Sequence, residues 1–369
     1  MILFLHNRYR TTGGEERAVE DLLWLVRERL GEDAELLARD SSVLGRPRAA
    51  VGLLRGGLDA DDVAAAVRRT KARAVHAHNL LPAFGWRALA AARAAGARVV
   101  LHLHNYRLVC AVGTCFTRDG DCVRCHGRNT LPGVRLNCRG TGPEAAVYGA
   151  SLALWQRRMG ALADAIVVPS AFAHARLREL GAPLAAPVRV VPHVVREIAT
   201  QPRSTAGGPA LVVSRLAREK GVEVAIDACR SAAIPLVVAG DGPLADELRA
   251  RAAGADVRFA GRVPAAELAA LRARASVAIV PSRAAETFGL AAAEAMAAGL
   301  PVAATRSGAL PELVPPEQLA APGDAAALGA LAARLRGDAE AGRRGWERVR
   351  ATSAPEAVAP RLAEVYGAG

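Results

Sequence analysis

The chain has 369 residues, 51% of them hydrophobic and 23% charged, a balance that excludes a disordered or fibrous protein. At roughly 150 residues per domain it fits two globular domains. The formal charge is +12, but only Lys71 and Lys220 are lysines and the arginines are scattered among alanines. With aromatic residues at 4%, the stacking surface of a nucleic-acid binder is missing, so no nucleic-acid partner is expected. No run nears the ~20 apolar residues of a membrane span, and the opening Met1-Ile2-Leu3-Phe4-Leu5 lacks the basic flank of a signal peptide. A cytoplasmic enzyme is the resulting expectation.

Short β-branched runs alternate with alanine-rich amphipathic stretches, which predicts α/β architecture with parallel, doubly wound sheets. Strands are predicted over 2–6, 74–77, 99–103, 165–168 and 188–191, with a helix over 16–30. Residues 197–209 have linker composition, EIATQPRSTAGGP, without an apolar period. A second alternating set is predicted over 210–213, 235–239, 257–259, 277–280 and 302–304. Val168-Pro169-Ser170 and Val280-Pro281-Ser282 close a strand in the same way in each half, as two Rossmann-type halves would. The expected organisation is a first domain over 1–196 with an irregular insert over 105–142, the linker, a second domain over 210–350, and a final helical segment over 351–369 that packs back on the first domain.

In the second half, a strand leads through Pro281 to Glu286-Thr287-Phe288-Gly289-Leu290 and into an alanine-rich helix ended by Gly299 and Pro301. Amides at a helix mouth and the positive end of its dipole suit a diphosphate, and Glu294, one turn in, suits sugar or ribose hydroxyls. Arg215 and Lys220 follow the first strand of this half, where open α/β sheets bind ligands.

These residues resemble a known family. Glu286 to Leu290 with Glu294-Ala295-Met296-Ala297-Ala298-Gly299 is similar to the E-x7-E block of the family 4 (group 1) retaining glycosyltransferases, which have the GT-B fold. Arg215 with Lys220-Gly221, Val237 to Pro243, and Ser307 to Leu313 extend the resemblance along the chain. It implies two Rossmann-like domains facing across a cleft, and transfer of a sugar from a nucleotide diphosphate sugar to an acceptor hydroxyl with retention. It implies that Arg215 and Lys220 neutralise the donor diphosphate, that the amides of Phe288, Gly289 and Leu290 cradle it, that Glu286 contacts the donor sugar, and that Glu294 contacts the ribose. The nucleobase is expected against residues 259–263. No catalytic metal is implied, because the two cations and the helix mouth stabilise the leaving charge.

In the first half, Gly13-Gly14 opens a helix after the first strand, where the family has a glycine pair that approaches the donor or acceptor. Two strands end in His76-Ala77-His78-Asn79 and His102-Leu103-His104-Asn105. Strand alternation is taken here to send the two histidines of each pair to opposite faces of the sheet. By the resemblance, His104 stands beside the transferred sugar.

Five of the six cysteines fall between Cys110 and Cys138, and Cys122-x2-Cys125 has the spacing of half a zinc knuckle. Cys110, Cys122, Cys125 and Cys138 are the expected ligands of a structural zinc; a subset of the family carries a similar insert. Cys115 is the expected spare and His126 an alternative ligand, with disulfides or an iron-sulfur cluster as rival readings. Asp119-Gly120-Asp121 is read as a tight turn and not as a metal-binding Asp-x-Asp. The helix over 144–162 carries Trp155, Arg157 and Arg158, which would suit peripheral contact with the inner face of a membrane if the acceptor alcohol or glycan is lipid-linked. The alternatives to a transferase are a zinc-stapled, non-catalytic nucleotide-sugar scaffold and a GT-B epimerase or hydrolase.

Overall fold

The computed structural model describes residues 1–9, 13–117, 120–201 and 205–367. The chain divides into two compact units, one built from Met1–Thr117, Cys122–Val194 and Val358–Gly369, the other chiefly from Val195–Ala357.

In the first unit, β1 (Ile2–Arg8), β2 (Ala34–Asp40), β3 (Ala74–Ala77), β4 (Arg98–His102), β5 (Ala165–Val168) and β6 (Val188–Val190) form one parallel sheet in the order β2-β1-β3-β4-β5-β6. Ile2, Phe4, Val100 and Val167 pack with Val19, Leu22 and Leu25 of the helix Gly14–Arg29, and with Val358, Leu362, Val365 and Tyr366 of the chain's last turns. Burying this many apolar side chains stabilises the unit, each contributing roughly 1.5–3 kcal/mol relative to exposure.

In the second unit, β7 (Ala210–Val213), β8 (Leu236–Ala239), β9 (Val257–Gly261), β10 (Val277–Val280), β11 (Val302–Thr305) and β12 (Leu319–Ala320) run in the order β9-β8-β7-β10-β11-β12, again all parallel. Alternate residues of each central strand feed two separate cores. Leu211, Val237, Ala278 and Val302 face one, while Val212, Val238, Ile279 and Ala303 face the other. A sheet covered on both faces needs strands that are apolar throughout, as VAIV and LVVA are.

The strand order reverses between β7 and β10, and open sheets of this kind bind ligands outside the carboxyl ends of the strands at such a switch point. Arg215 and Lys220 follow β7, and Glu286 follows β10.

Several sequence expectations change. Residues 197–209 do not form a free linker throughout: Ile198 packs on a core of the second unit, and the Ala199 amide donates to the Ala297 carbonyl at 2.9 Å. The boundary between the units falls at Val194 and Val195, two residues before the expected one. The insert over 105–142 carries its own elements, the helix Leu131–Arg135 and the two-residue strands Phe116–Thr117 and Gly120–Asp121. Asp119 of the expected turn lies outside the described residues.

Candidate functional site

Glu286 is the centre of the second unit's switch-point site. Lys220 Nζ lies 2.7 Å from its Oε1, and Ser282 Oγ donates to the same oxygen at 2.5 Å. Both ionised side chains are largely covered, with 30% of Lys220 and 18% of Glu286 exposed. Burial works to raise the Glu286 pKa, but the Lys220 ammonium, the Ser282 hydroxyl and the Arg215 charge outweigh it and hold the carboxyl below its ordinary value. Glu286 is therefore a carboxylate with a fixed orientation. Arg215 forms an ion pair with Glu219, one helical turn along the chain, and stays 43% exposed.

The backbone fixes these groups. Gly221 caps the short helix Arg218–Lys220 in the left-handed region (φ +66°), and a Cβ there would stand 2.2 Å from the Pro281 carbonyl oxygen. Gly308 (φ +59°) lies so close to Glu286 that a Cβ would meet both its backbone N and O at 2.2 Å. The neighbouring Ala309 amide donates to the Glu286 carbonyl at 2.8 Å, and Ser307 Oγ to the Ala284 carbonyl at 2.5 Å. The segment 307–309 thus clamps the main chain that carries Glu286.

Beyond Glu286, Phe288 is buried and Gly289 (φ +97°) caps the helix Leu290–Ala297. The first amides of a helix have no intrahelical acceptor and carry the positive end of its dipole. Glu294, inside this helix, is salt-bridged to Arg272, and both are almost covered. Phe259 lies on β9 with the Arg249 guanidinium over its ring at 5.8 Å.

The first unit brings its expected residues to the carboxyl ends of β1 and β4. Gly13 caps the helix that begins at Gly14, and its amide donates to Glu16 Oε2 at 2.7 Å. Burial works against Glu16, yet His6 and the amides of Gly13 and Tyr9 hold its pKa down. Beside them, Asn105 Nδ2 and Tyr9 OH both donate to Glu15 Oε2, at 2.8 and 2.7 Å, in surroundings whose burial raises the Glu15 pKa.

His104 is buried, with its Nε2 2.7 Å from His78 Nδ1, and its ring stacks 3.9 Å from that of His102. The expectation of opposite faces for each histidine pair is wrong. The rings of His76 and His78 lie 4.4 Å apart and those of His102 and His104 are stacked, because residues i and i+2 of a strand share a face.

Cys110, Cys115, Cys122, Cys125 and Cys138 line one small cavity in the insert. Cys115, the expected spare, is buried among the others, and its thiol donates to Cys110, lowering that thiol to about 6. Burial first, and then repulsion from Cys110, Cys122 and Cys138, pushes Cys125 up to about 11. The thiols of Cys110, Cys122, Cys125 and Cys138 repel one another's charged forms around one cavity, but among the described residues the ligand atoms found within 4.8 Å of one another in sets of three belong to histidines and not to these cysteines. His126 is not among the residues lining it.

Sequence reasoning missed Ser282 and Arg272, which hold the two site carboxylates; Glu219, a candidate surface partner of Lys220 by its place in the sequence, pairs with Arg215 instead. Ser282 carried a signal, the Val-Pro-Ser strand ending; Arg272 carried none, since it pairs with Glu294 across 22 residues.

Residues 8–193 match the family described as glycosyl transferase 4-like domain, and residues 209–338 match glycosyl transferases group 1. The chain belongs to the group 1, family-4-like glycosyl transferases. Its fold matches GT-B structures: sucrose-phosphate synthase from Thermosynechococcus elongatus aligns over 100% of this chain and 98% of its own, with a TM-score of 0.71 at 20% identity. Anabaena Alr3699/HepE in complex with UDP-glucose aligns over 100% and 99%, with a TM-score of 0.66 at 17% identity. Glycogen synthase of Mycobacterium tuberculosis is 35% identical over 205 residues, 49% of this chain and 47% of that protein. The match spans about a fifth to half the length of the first curated relatives. Among the described residues of this family member, no helix is long and apolar enough to cross a membrane.

Proposed function

We propose that this chain transfers a sugar from a nucleotide diphosphate sugar to an acceptor hydroxyl with retention at the anomeric carbon. The observation that carries the reading is Glu286, held as an oriented carboxylate by Lys220 and Ser282 at the switch point of the second sheet and followed by a glycine-capped helix. In this scheme Lys220, the Leu290–Ala297 helix mouth and Arg215 receive the diphosphate. Arg215 exchanges its exposed pairing with Glu219 for the phosphate oxygens, a low-cost exchange because exposed ion pairs contribute about 0–1 kcal/mol. Glu286 orients the donor sugar through its hydroxyls, and Glu294, fixed by Arg272, receives the ribose.

As the glycosidic bond breaks, charge develops on the departing diphosphate, and the same cations and dipole stabilise it. The departing phosphate takes the proton of the acceptor hydroxyl on the face it leaves, which gives retention without a protein nucleophile. Gly13, Gly14 and His104 serve sugar or acceptor positioning, and no step is assigned to a metal. The family membership and the HepE complex with UDP-glucose support a nucleotide-sugar donor. Replacing both Arg215 and Lys220 by alanine should abolish donor binding in calorimetry; unchanged affinity would sink the assignment.

A structural zinc on Cys110, Cys122, Cys125 and Cys138 forms part of the proposal. The bound ion would order the insert, as in the cysteine-bearing subset of the family that it resembles. A lipid-linked acceptor is proposed with less of the surface first assigned to it. Trp155 turns its Nε1 to the Leu53 and Leu54 carbonyls, each at 3.1 Å, and packs on Trp86. Val51, Leu54 and Leu154 are exposed apolar residues within a few positions of the exposed Arg48, Arg55 and Arg157. Co-sedimentation with anionic but not neutral vesicles tests that contact, and no binding to either removes it.

A further inference from the structure

Six of the eight histidines, His6, His76, His78, His102, His104 and His193, form one buried array in the first unit. The proposed reaction uses only His104. Sheet packing needs none of the others: each buried imidazole brings two polar nitrogens that must be satisfied, where a leucine or valine would fill the space without that cost.

Within the array, His102, His104 and His193 offer ring nitrogens that all lie within 4.8 Å of one another. We propose that these three side chains bind one divalent transition-metal ion of the zinc class. The donor set is three imidazoles without a carboxylate, which selects zinc, cobalt, nickel or copper over magnesium and calcium. All three rings are buried, and burial favours the neutral imidazole that such an ion binds.

The surrounding histidines support this triple over the neighbouring set of His76, His78 and His102. Both ring nitrogens of His76 are engaged, Nδ1 with Tyr366 OH at 2.7 Å and Nε2 with His102 Nδ1 at 3.2 Å. His102 Nε2, in contrast, is buried with no hydrogen-bond partner. His76 behind His102, and His78 behind His104, hold the far nitrogen of each ligand ring as outer partners do in metal sites, setting which nitrogen each ring turns to the ion. A tetrahedral zinc would bring the nitrogens to about 3.3 Å from one another, which the rings reach by turning about χ2, a torsion with a broad well. Three protein ligands leave a fourth position for water. The ion would tie the end of β4, which supplies His102 and His104, to the segment after β6, which supplies His193.

The test reads metal binding and does not depend on the sugar-transfer reading. Full-length protein is first stripped of metal, given one equivalent of zinc per chain, which the softer thiolates of the cysteine insert take first, and then titrated with cobalt(II). The expected result is one further equivalent of cobalt, with visible d–d bands, no thiolate charge-transfer band and a raised melting temperature. His193→Ala should lose that equivalent, and Cys125→Ser should keep it. Failure of the wild-type protein to bind cobalt beyond the cysteine site, or wild-type binding by a folded His193→Ala, overturns the proposal. If His193→Ala does not fold, copper(II) on the wild-type protein decides: nitrogen hyperfine splitting from three imidazoles supports the site, and its absence refutes it.

Discussion

Lys220 Nζ and Ser282 Oγ converge on a single oxygen, Oε1 of Glu286, at 2.7 and 2.5 Å. The lysine comes from the loop after β7 and the serine and glutamate from the loop after β10, so this triad joins the two strands between which the sheet order reverses. One of only two lysines in the chain thus binds a carboxylate that could not sit covered without it.

Removing that lysine should therefore cost both stability and donor affinity. Lys220→Ala leaves Glu286 without its cation, a loss of about 1–3 kcal/mol by the usual penalty for a stranded charged group. Urea unfolding should show this decrease, and calorimetry with a nucleoside diphosphate should show affinity lower by about tenfold or more, ~1.4 kcal/mol. A variant with wild-type midpoint and affinity contradicts the pairing.

The same pair gives a pH dependence. The folded pKa of Glu286 is lowered, so its stabilisation is complete above the ordinary carboxyl value of 4.5 and is lost as the pH falls through the lower folded value. Glu286→Gln has no such proton to take up. The stability gap between wild type and Glu286→Gln should narrow on acidification below 4.5, and a gap independent of pH rules out this contribution.

Gly308 tests the clamp on Glu286. An added Cβ would meet the Glu286 backbone N and O at 2.2 Å, and backbone cannot rotate away, so Gly308→Ala should cost roughly 2–4 kcal/mol and raise the donor KM. Gly323 shares the left-handed conformation (φ +88°) but has no atom within 4 Å of a Cβ. Gly323→Ala should cost only the strain of that conformation, about 1–2 kcal/mol, and leave KM alone. Equal effects of the two substitutions would mean that the contact with Glu286 is unimportant.

The cysteine insert should retain about one zinc per chain after purification without added metal. Cys125→Ser should release it and speed proteolysis between residues 105 and 142. Cys115→Ser distinguishes the roles within the cavity: zinc retained in that variant keeps Cys115 outside the ligand set, and zinc lost places it inside.

Most of the parallel architecture was legible because strands buried on both faces read as continuous apolar runs: 74–77, 165–168, 210–213 and 277–280 have the same limits in sequence and structure. β2 was not, since AELLARD lacks β-branched and aromatic residues and lies half-buried at the sheet edge. At the site, charge and glycine patterns pointed to Lys220 and Gly289, and the family resemblance to Glu286. Arg272 was invisible because a salt bridge between distant helices leaves no local pattern. The histidine array escaped for two reasons: His193 arrives from a loop about 90 residues beyond His104, and the spacing within each pair was assigned to opposite faces when a period of two puts both on one.

The most direct test of sugar transfer is phosphorus and proton NMR of the full-length protein with a pool of nucleotide sugars and an acceptor alcohol. A nucleoside diphosphate should appear together with an acceptor glycoside of the donor's anomeric configuration. Absence of any released diphosphate, or release of free sugar alone whatever the acceptor, would contradict sugar transfer.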